Sequence, residues 1–254
     1  MNRLFALSFV FLFALGAWAG VQERDLYLLI GQSNMAGRGA LTPSNRVDCA
    51  GVVKFSADGK WVAAAEPIHF DKKTAGAGLS ASFAQAMAAA RPGREVGLVP
   101  CAVGGSPISR WQPEGDLYRK ALARLRSALA TGGELKGILW HQGEADAKKQ
   151  ESIARYSERL KTLVEALRKD LNLPKVPFVA GELAPSDARR RPDLQWDAIS
   201  EITRTTMKEL PCCGCVSSQG LKTKGDRLHF DTPSLRIFGR RYAEKLLEIE
   251  KEVN

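Results

Sequence analysis

The interpretation of the chain starts from the stretch Asp25-Leu26-Tyr27-Leu28-Leu29-Ile30-Gly31-Gln32-Ser33-Asn34-Met35-Ala36-Gly37. Its apolar part, residues 26–30, is typical of a buried strand in a parallel sheet. The run stops at Gly31, and Ser33 follows. Ligands of open α/β sheets bind beyond the carboxyl ends of the strands, so Ser33 is a candidate nucleophile. A plain turn serine is the alternative. The local pattern leaves both open, because Met35 interrupts the Gly-x-Ser-x-Gly elbow.

Strand and helix patterns alternate along the rest of the chain. Short apolar runs predict strands at 96–99, 135–140, 178–180 and 213–216 and a hairpin at about 52–61. Apolar residues at helical spacing predict helices at about 80–90, 116–130, 153–171 and 192–208 and from 232 onward. Ser80 and Thr232 are expected to cap two of them. The alternation predicts an α/β fold, with a parallel sheet covered by helices on both faces and the long segment 38–78 beside Ser33.

Residues 1–19 are typical of a secretory signal peptide. Arg3 provides a basic start, an apolar run covers residues 4–15, and Ala17-Trp18-Ala19 matches a cleavage site. We expect cleavage after Ala19, a secreted or periplasmic protein, and one domain over residues 20–254. A retained N-terminal anchor is the alternative, although the run is short for a membrane span.

The charge balance is basic but dispersed. The 254 residues include 37 Lys and Arg against 28 Asp and Glu, a formal net charge of +9. The one basic triplet, at 189–191, has no aromatic neighbour, which favours a solvated helix start over a nucleic-acid patch. A basic surface would suit an anionic polysaccharide, although composition does not establish one.

The cysteines are predicted to be structural. Export would permit a disulfide, but the odd count leaves at least one thiol unpaired, and the pairing stays open. The cluster at 212–215 resembles part of a zinc site, but no second cluster accompanies it, so we expect no metal. The five residues are Cys49, Cys101, Cys212, Cys213 and Cys215.

A catalytic serine needs a base, and the base needs a third group that selects its tautomer. The chain has three histidines, His69, His141 and His229. His229 is the best candidate, because Asp226 lies three residues before it in a short loop. The alternative is a surface histidine beside a surface aspartate.

Acyl transfer also needs donors for an oxyanion. The backbone N–H of Gly104 or Gly105, at the end of a predicted strand, could supply one. The Gln142 side-chain amide and the Ser33 N–H could supply others. A glycine turn and a capping glutamine are the alternatives.

Four blocks of small and polar residues follow one another along the chain: Ile30-Gly31-Gln32-Ser33-Asn34-Met35-Ala36-Gly37-Arg38-Gly39, Pro100-Cys101-Ala102-Val103-Gly104-Gly105-Ser106, Trp140-His141-Gln142-Gly143-Glu144-Ala145-Asp146 and Asp226-Arg227-Leu228-His229. In this order they resemble the SGNH hydrolases, in the branch that contains the sialate O-acetylesterases and carbohydrate esterase family six, the acetylxylan esterases. Residues 66–69 and 170–174 extend the resemblance over nearly all of the predicted mature chain.

The resemblance implies a flavodoxin-like three-layer α/β/α sandwich without a cofactor. It implies serine-dependent removal of O-acetyl groups from carbohydrate. By position, Ser33 would be the nucleophile, His229 the base and Asp226 its orienting acid. The N–H of Gly104 and the amide of Gln142 would join the Ser33 N–H in the oxyanion hole.

The chain departs from the wider superfamily at two positions. Gln32 replaces the aspartate of the Gly-Asp-Ser form, and Gln142 stands where many members have asparagine. Glu144 is a rival for the acid, because this branch has a carboxylate there too.

These observations predict an exported carbohydrate O-acetylesterase that acts through an acyl-enzyme. The expected partner is an acetylated carbohydrate, with no nucleic acid and no membrane span in the mature chain. A lipase or thioesterase on the same scaffold and a non-catalytic carbohydrate-binding protein are the alternatives. The sequence names neither the sugar nor the oligomeric state.

Overall fold

The central strand of the sheet is β1, Arg24–Gly31, in a computed structural model that describes residues 23–185 and 195–253. It pairs in parallel with β4, Glu95–Pro100, on one side and with β5, Glu134–His141, on the other. Residues 26–30 are completely buried, which confirms the predicted core strand. The predicted signal peptide, residues 1–19, and the basic triplet at 189–191 lie outside the described residues.

Seven strands form the sheet in the described part of the chain. The remaining strands are β2, Val52–Phe55, β3, Trp61–Ala63, β6, Phe178–Gly181, and β7, Cys213–Val216. The order is β3-β2-β4-β1-β5-β6-β7, and only the hairpin pair β2–β3 is antiparallel. The strands β4-β1-β5-β6-β7 follow the flavodoxin-like order 2-1-3-4-5, with the switch point between β1 and β5, where such sheets bind ligands.

Helices cover both faces of this sheet and make a three-layer α/β/α sandwich. One face carries α2, Leu79–Ala90, and α7, Thr232–Val253. The other carries α3, Asp116–Leu129, α5, Tyr156–Leu171, and α6, Trp196–Glu209. Alternate residues of β1 enter the two cores, as the period of a strand requires. Two short helices, α1, Ser33–Ala36, and α4, Gln150–Ala154, lie in the connections.

Three local predictions were wrong. Ser80 does not cap α2: the helix already begins at Leu79, and the Ser80 hydroxyl lies 3.4 Å from His69 Nε2. Thr232 is not the cap of α7, because the Asp231 carboxylate accepts the Ser234 N–H at 2.8 Å. The predicted helix 153–171 is two helices, α4 and α5, which meet at Arg155.

Three further properties concern the described residues alone. No helix among them has both the length and the apolar character needed to cross a bilayer. Their His, Cys, Asp and Glu side chains form no group of three or more that could hold a metal ion. All five cysteines are free thiols.

Candidate active site

The site lies at the carboxyl edge of the sheet, where the chain leaves β1. Gly31 has φ +130°, and a Cβ there would fall 2.1 Å from the carbonyl oxygen of His141. That oxygen accepts the N–H of Gln32 at 2.9 Å. Only glycine allows this close approach of two strand ends, and the turn places Ser33 at the first position of α1.

Ser33, His229 and Asp226 form one hydrogen-bonded chain. Ser33 Oγ lies 2.9 Å from His229 Nε2, and His229 Nδ1 lies 2.8 Å from Asp226 Oδ2. Because a carboxylate only accepts, the proton between them sits on Nδ1, and Nε2 is left to accept the Ser33 hydroxyl. The structure therefore brings together the three residues that the sequence singled out.

The Asp226 carboxylate is built to stay ionised. Burial opposes its ionisation, but the N–H groups of His229 and Leu228 and the His229 ring outweigh burial and lower its pKa to about 2. The two backbone N–H groups donate to Asp226 Oδ1 at 2.9 and 3.0 Å. A carboxylate in this position holds the imidazole in one tautomer and can stabilise an imidazolium.

Glu144, the rival acid, lies elsewhere. Its Oε1 accepts a hydrogen bond from Asn34 Nδ2 at 2.6 Å and is 3.7 Å from His141 Nε2. Burial opposes ionisation of Glu144, but the His141 ring and hydrogen bonds from Asn34 and the Glu144 N–H lower its pKa overall. Both ring nitrogens of His229 are already occupied, so the geometry favours Asp226 as their carboxylate partner.

Gly104 lies beside Ser33, but its N–H already has an acceptor. A Cβ on Gly104 would be 3.5 Å from the Ser33 Cβ and 2.5 Å from the Arg38 guanidinium, so no side chain fits. The Gly104 N–H donates to Asp71 Oδ2 at 2.8 Å, and Arg38 pairs with the same oxygen at 2.6 Å. Sequence reasoning did not single out Arg38 or Asp71. The available signal was their place in the first block and in the long segment 38–78.

The Gln142 amide faces internal acceptors. Its Nε2 donates to Asp146 Oδ2 at 2.6 Å, to the Ser106 carbonyl at 3.0 Å and to Gln32 Oε1 at 3.2 Å. The residue is almost completely buried. The Ser33 N–H, by contrast, is at the start of a helix, where no intrahelical acceptor exists.

The other two histidines are core residues. His141 is buried against the rings of Phe230 and Phe238, and its Nδ1 lies 3.2 Å from the Tyr242 hydroxyl. Burial lowers the pKa of His69 to about 3. Of the three histidines, His229 is the one that hydrogen-bonds to Ser33.

A cavity of about 890 Å³ opens above Ser33 and His229. Among the described residues three acids line it, and two of them, Glu144 and Asp146, are buried and accept hydrogen bonds from Asn34 and Gln142. The basic side chains of the described lining outnumber the acids and are Arg38, Lys72, Lys148, Lys149, Arg159 and Lys224.

The fold defines the class of protein: a mostly parallel α/β sheet with the SGNH hydrolase fold. Residues 23–248 match the family model described as carbohydrate esterase, sialic acid-specific acetylesterase. The chain belongs to this family and is a carboxylic ester hydrolase.

Individual relatives agree with this assignment. A probable carbohydrate esterase of Arabidopsis thaliana is 31% identical over 247 residues, which cover 89% of this chain and 92% of the relative. Its crystal structure has a TM-score of 0.80 and is covered over 98% of its length.

Two more distant structures share the fold. The structure of NanS has a TM-score of 0.75 at 18% identity, covering 91% of this chain and 98% of the other. A carbohydrate acetylesterase from Xanthomonas citri has a TM-score of 0.69 at 22% identity, covering 90% of this chain and 57% of that longer one.

Proposed function

We propose that the protein removes O-acetyl groups from carbohydrate through an acyl-enzyme on Ser33. The observation that carries the proposal is the hydrogen-bonded chain Ser33–His229–Asp226 at the mouth of the cavity. A serine hydroxyl is a weak nucleophile on its own, and this arrangement supplies both the base and the group that selects its tautomer. Membership of a carbohydrate acetylesterase family supports the choice of reaction.

The proposed reaction has two halves. His229 Nε2 takes the proton of Ser33 Oγ as the oxygen attacks the acetyl carbonyl carbon, and a tetrahedral intermediate forms. The intermediate collapses, the bond to the sugar oxygen breaks, and His229 returns the proton to that oxygen. Water then attacks the acetyl-Ser33 ester with His229 again as base, which releases acetate and restores Ser33.

The oxyanion of each intermediate needs nearby donors, and we assign the Ser33 and Gly104 N–H groups to this role. The first is free of an intrahelical acceptor, and the second lies beside Ser33. The incoming oxyanion would share or replace the Asp71 contact of Gly104. Gln142, the third predicted donor, would share its N–H groups with Asp146 and Ser106 in the same way.

The lining of the cavity supports an acetylated sugar that also carries a carboxylate, as in the sialate type, over neutral acetylxylan. The basic side chains of the described lining outnumber its acids even when Arg38 and Lys224 are counted as paired with Asp71 and Asp226. A cleft in which one charge sign predominates attracts substrates of the opposite sign. A long acyl chain would need an apolar channel, whereas the large apolar side chains that the described residues contribute to this lining are Trp196 and Leu228.

Acetate release from a panel of substrates tests this proposal. The panel contains O-acetylated sialic acid, acetylated glucuronoxylan and acetylated neutral xylan, together with 4-nitrophenyl esters of increasing acyl length. We expect the sialic acid ester to be cleaved with the highest kcat/KM and the nitrophenyl esters to fall sharply beyond acetyl. Equal rates on neutral xylan, or a preference for long acyl chains, would overturn the substrate assignment.

Ser33→Ala tests the mechanism. The variant should remain folded and lose nearly all esterase activity, while still binding the sugar. Because a barrier change of about 1.4 kcal/mol is already tenfold in rate, retention of more than about a tenth of wild-type turnover would exclude Ser33 as the nucleophile. A wild-type protein that binds the sugar but releases no acetate would support the non-catalytic alternative.

We further propose that the protein is exported and cleaved after Ala19. The support is the pattern of residues 1–19, with a basic start, an apolar run and a small-x-small site. N-terminal sequencing of protein from the native host should give a chain that begins at residue 20. A chain that still begins at residue 1 would contradict the proposal.

A further inference from the structure

The side chain of Asn34 joins the loop that carries His229 to the segment that carries Ser33. Its Oδ1 accepts the Phe230 N–H at 3.1 Å, and its Nδ2 donates to the Leu228 carbonyl at 3.2 Å. These two backbone groups flank His229 on either side. Asn34, the immediate neighbour of Ser33, therefore sets where the His229 backbone lies relative to the nucleophile.

Glu144 reinforces the orientation of the Asn34 amide that the two backbone groups select. Glu144 Oε1 lies 2.6 Å from Asn34 Nδ2, and both side chains are buried, with residue exposures of 4% and 1%. An ionised carboxylate only accepts and a backbone N–H only donates, so one amide orientation alone satisfies Glu144 and Phe230 together. Glu144 Oε2 has no hydrogen-bond partner within the described residues, and Glu144 Oε1 accepts its side-chain hydrogen bond from Asn34 Nδ2.

The loop also has internal hydrogen bonds, from the Lys224 N–H to the His229 carbonyl and from the His229 N–H to Asp226, but these do not tie it to the Ser33 segment as Asn34 does. Within this loop the Asp226 side chain is 39% exposed, and Arg227 adopts the uncommon left-handed conformation with φ 53°. Misplacement of a catalytic group by about 1 Å can cost on the order of 100-fold in rate.

We propose that Asn34 is a positioning residue that places His229 against Ser33, and that Glu144 acts on the reaction through Asn34 and not as the acid of His229. This inference rests on the proposed roles of Ser33 and His229. It assigns a separate task to each of the two candidate carboxylates: Asp226 selects the tautomer of the imidazole, and Glu144 helps to fix the position of the imidazole through the Asn34 amide.

A double-mutant cycle of Asn34→Ala and Glu144→Ala tests the connection. We expect Asn34→Ala to lower kcat about 30- to 100-fold with KM changed by less than about threefold. Glu144→Ala should be damaging alone but should cost little more once Asn34 is already alanine, because residues that act through one another are not additive. Equal fold-losses for Glu144→Ala in both backgrounds would overturn the inference.

A polarity swap provides a readout that a general loss of packing would not move. Asn34→Asp alone puts a carboxylate oxygen opposite two acceptors, Glu144 Oε1 at the 2.6 Å contact and the Leu228 carbonyl at 3.2 Å, and we expect it to be more damaging than Asn34→Ala. Adding Glu144→Gln restores a donor at the first contact and leaves the second unrestored, so the double variant should regain at least tenfold in kcat over Asn34→Asp without reaching wild type. No regain would refute the assigned contact, and this pair decides the matter if Asn34→Ala does not fold.

Asn45→Ala is the matched control. The Asn45 side chain also hydrogen-bonds to backbone groups, since it accepts the Thr42 N–H and donates to the Ala40 carbonyl. These contacts do not involve the loop that carries His229. Its kcat should stay within about twofold of wild type, with thermal midpoints of all compared variants well above the assay temperature. Normal kcat in Asn34→Ala would refute the positioning role alone, whereas an active Ser33→Ala would refute the proposed mechanism on which it rests.

Discussion

Replacing Asp226 by asparagine should disable the site by imposing the wrong tautomer on His229. Asp226 Oδ2 now accepts the proton on His229 Nδ1 at 2.8 Å. The asparagine keeps one oxygen for the backbone N–H groups of residues 228 and 229 and turns its NH₂ group toward Nδ1. A donor in that position favours the proton on Nε2, which can then no longer accept the proton of Ser33.

The magnitude follows from the exposure of the carboxylate. Where the orienting acid of a serine hydrolase is buried, the Asp-to-Asn change costs about 10⁴-fold in kcat. The Asp226 side chain is 39% exposed, so water can compete for Nδ1 and preserve part of the correct tautomer. We therefore expect a loss of about 10³-fold, which corresponds to roughly 4 kcal/mol in the barrier.

Glu144→Gln is the matched control, because it makes the same change of carboxylate to amide at the rival position. Its Oε1 can still accept from Asn34 Nδ2, where the wild-type distance is 2.6 Å. The loss in kcat should stay within about tenfold, since the Asn34 contact survives and His229 keeps its tautomer.

Steady-state kinetics of both variants on 4-nitrophenyl acetate, with circular dichroism to verify folding, decide between the two acids. We expect the loss to lie in kcat for Asp226→Asn. If Glu144→Gln is crippled while Asp226→Asn keeps most of its kcat, the acid assignment must move to Glu144.

Two further predictions concern the buried polar groups. Gln142→Ala should lower kcat by at most about 10²- to 10³-fold with little change in KM, because the amide would share its N–H groups between the oxyanion and its internal acceptors, and a kcat within threefold of wild type would exclude that role. Asp25→Asn should lower the thermal midpoint at pH 7: burial opposes ionisation of Asp25, but Arg94 and Arg91 outweigh burial and lower its pKa. Because the pKa of Asp25 is lower in the folded protein than the unfolded value of about 3.9, the ionised carboxylate stabilises the fold above that pH. The difference in thermal midpoint between the variant and the wild type should therefore shrink as the pH falls through about 3.9 toward the folded pKa. The exposed Glu114→Gln change should show neither effect in thermal melts, and a pH-independent difference for Asp25→Asn would contradict the ion-pair explanation.

The sequence alone determined the order of the elements and the chemistry available to them. The hydrophobic periods of strands and helices are local properties, so β7 was predicted with its observed bounds and β2 begins where the predicted hairpin begins. Alternation of the two element types then indicated a parallel sheet, whose strand ends share an edge. With three histidines in the chain, the residue types also limited the bases that could serve Ser33.

Helix starts were less predictable from the sequence. Ser80 and Thr232 both have the side chain of a cap, but tertiary contacts engage them otherwise: Ser80 with His69, and Thr232 with the carbonyl oxygen of Ala40 at 2.8 Å. Cap propensity is a local preference of modest energy, and a neighbouring hydrogen bond or the preceding aspartate outweighs it.

Only the tertiary structure decided which groups meet within the site. Ser33 and His229 are 196 positions apart, and Asn34 and Glu144 are 110 positions apart. No local pattern reports such contacts, because they depend on how two strand ends and a distant loop converge at the switch point of the sheet. The same convergence brings Asp226 into contact with the His229 imidazole and Glu144 into contact with Asn34. It also lets the Gly104 N–H donate a hydrogen bond to Asp71. Hydrogen bonds are short-ranged and directional, so residue type alone indicates which roles are possible, and the packed arrangement decides which residue can fill each one.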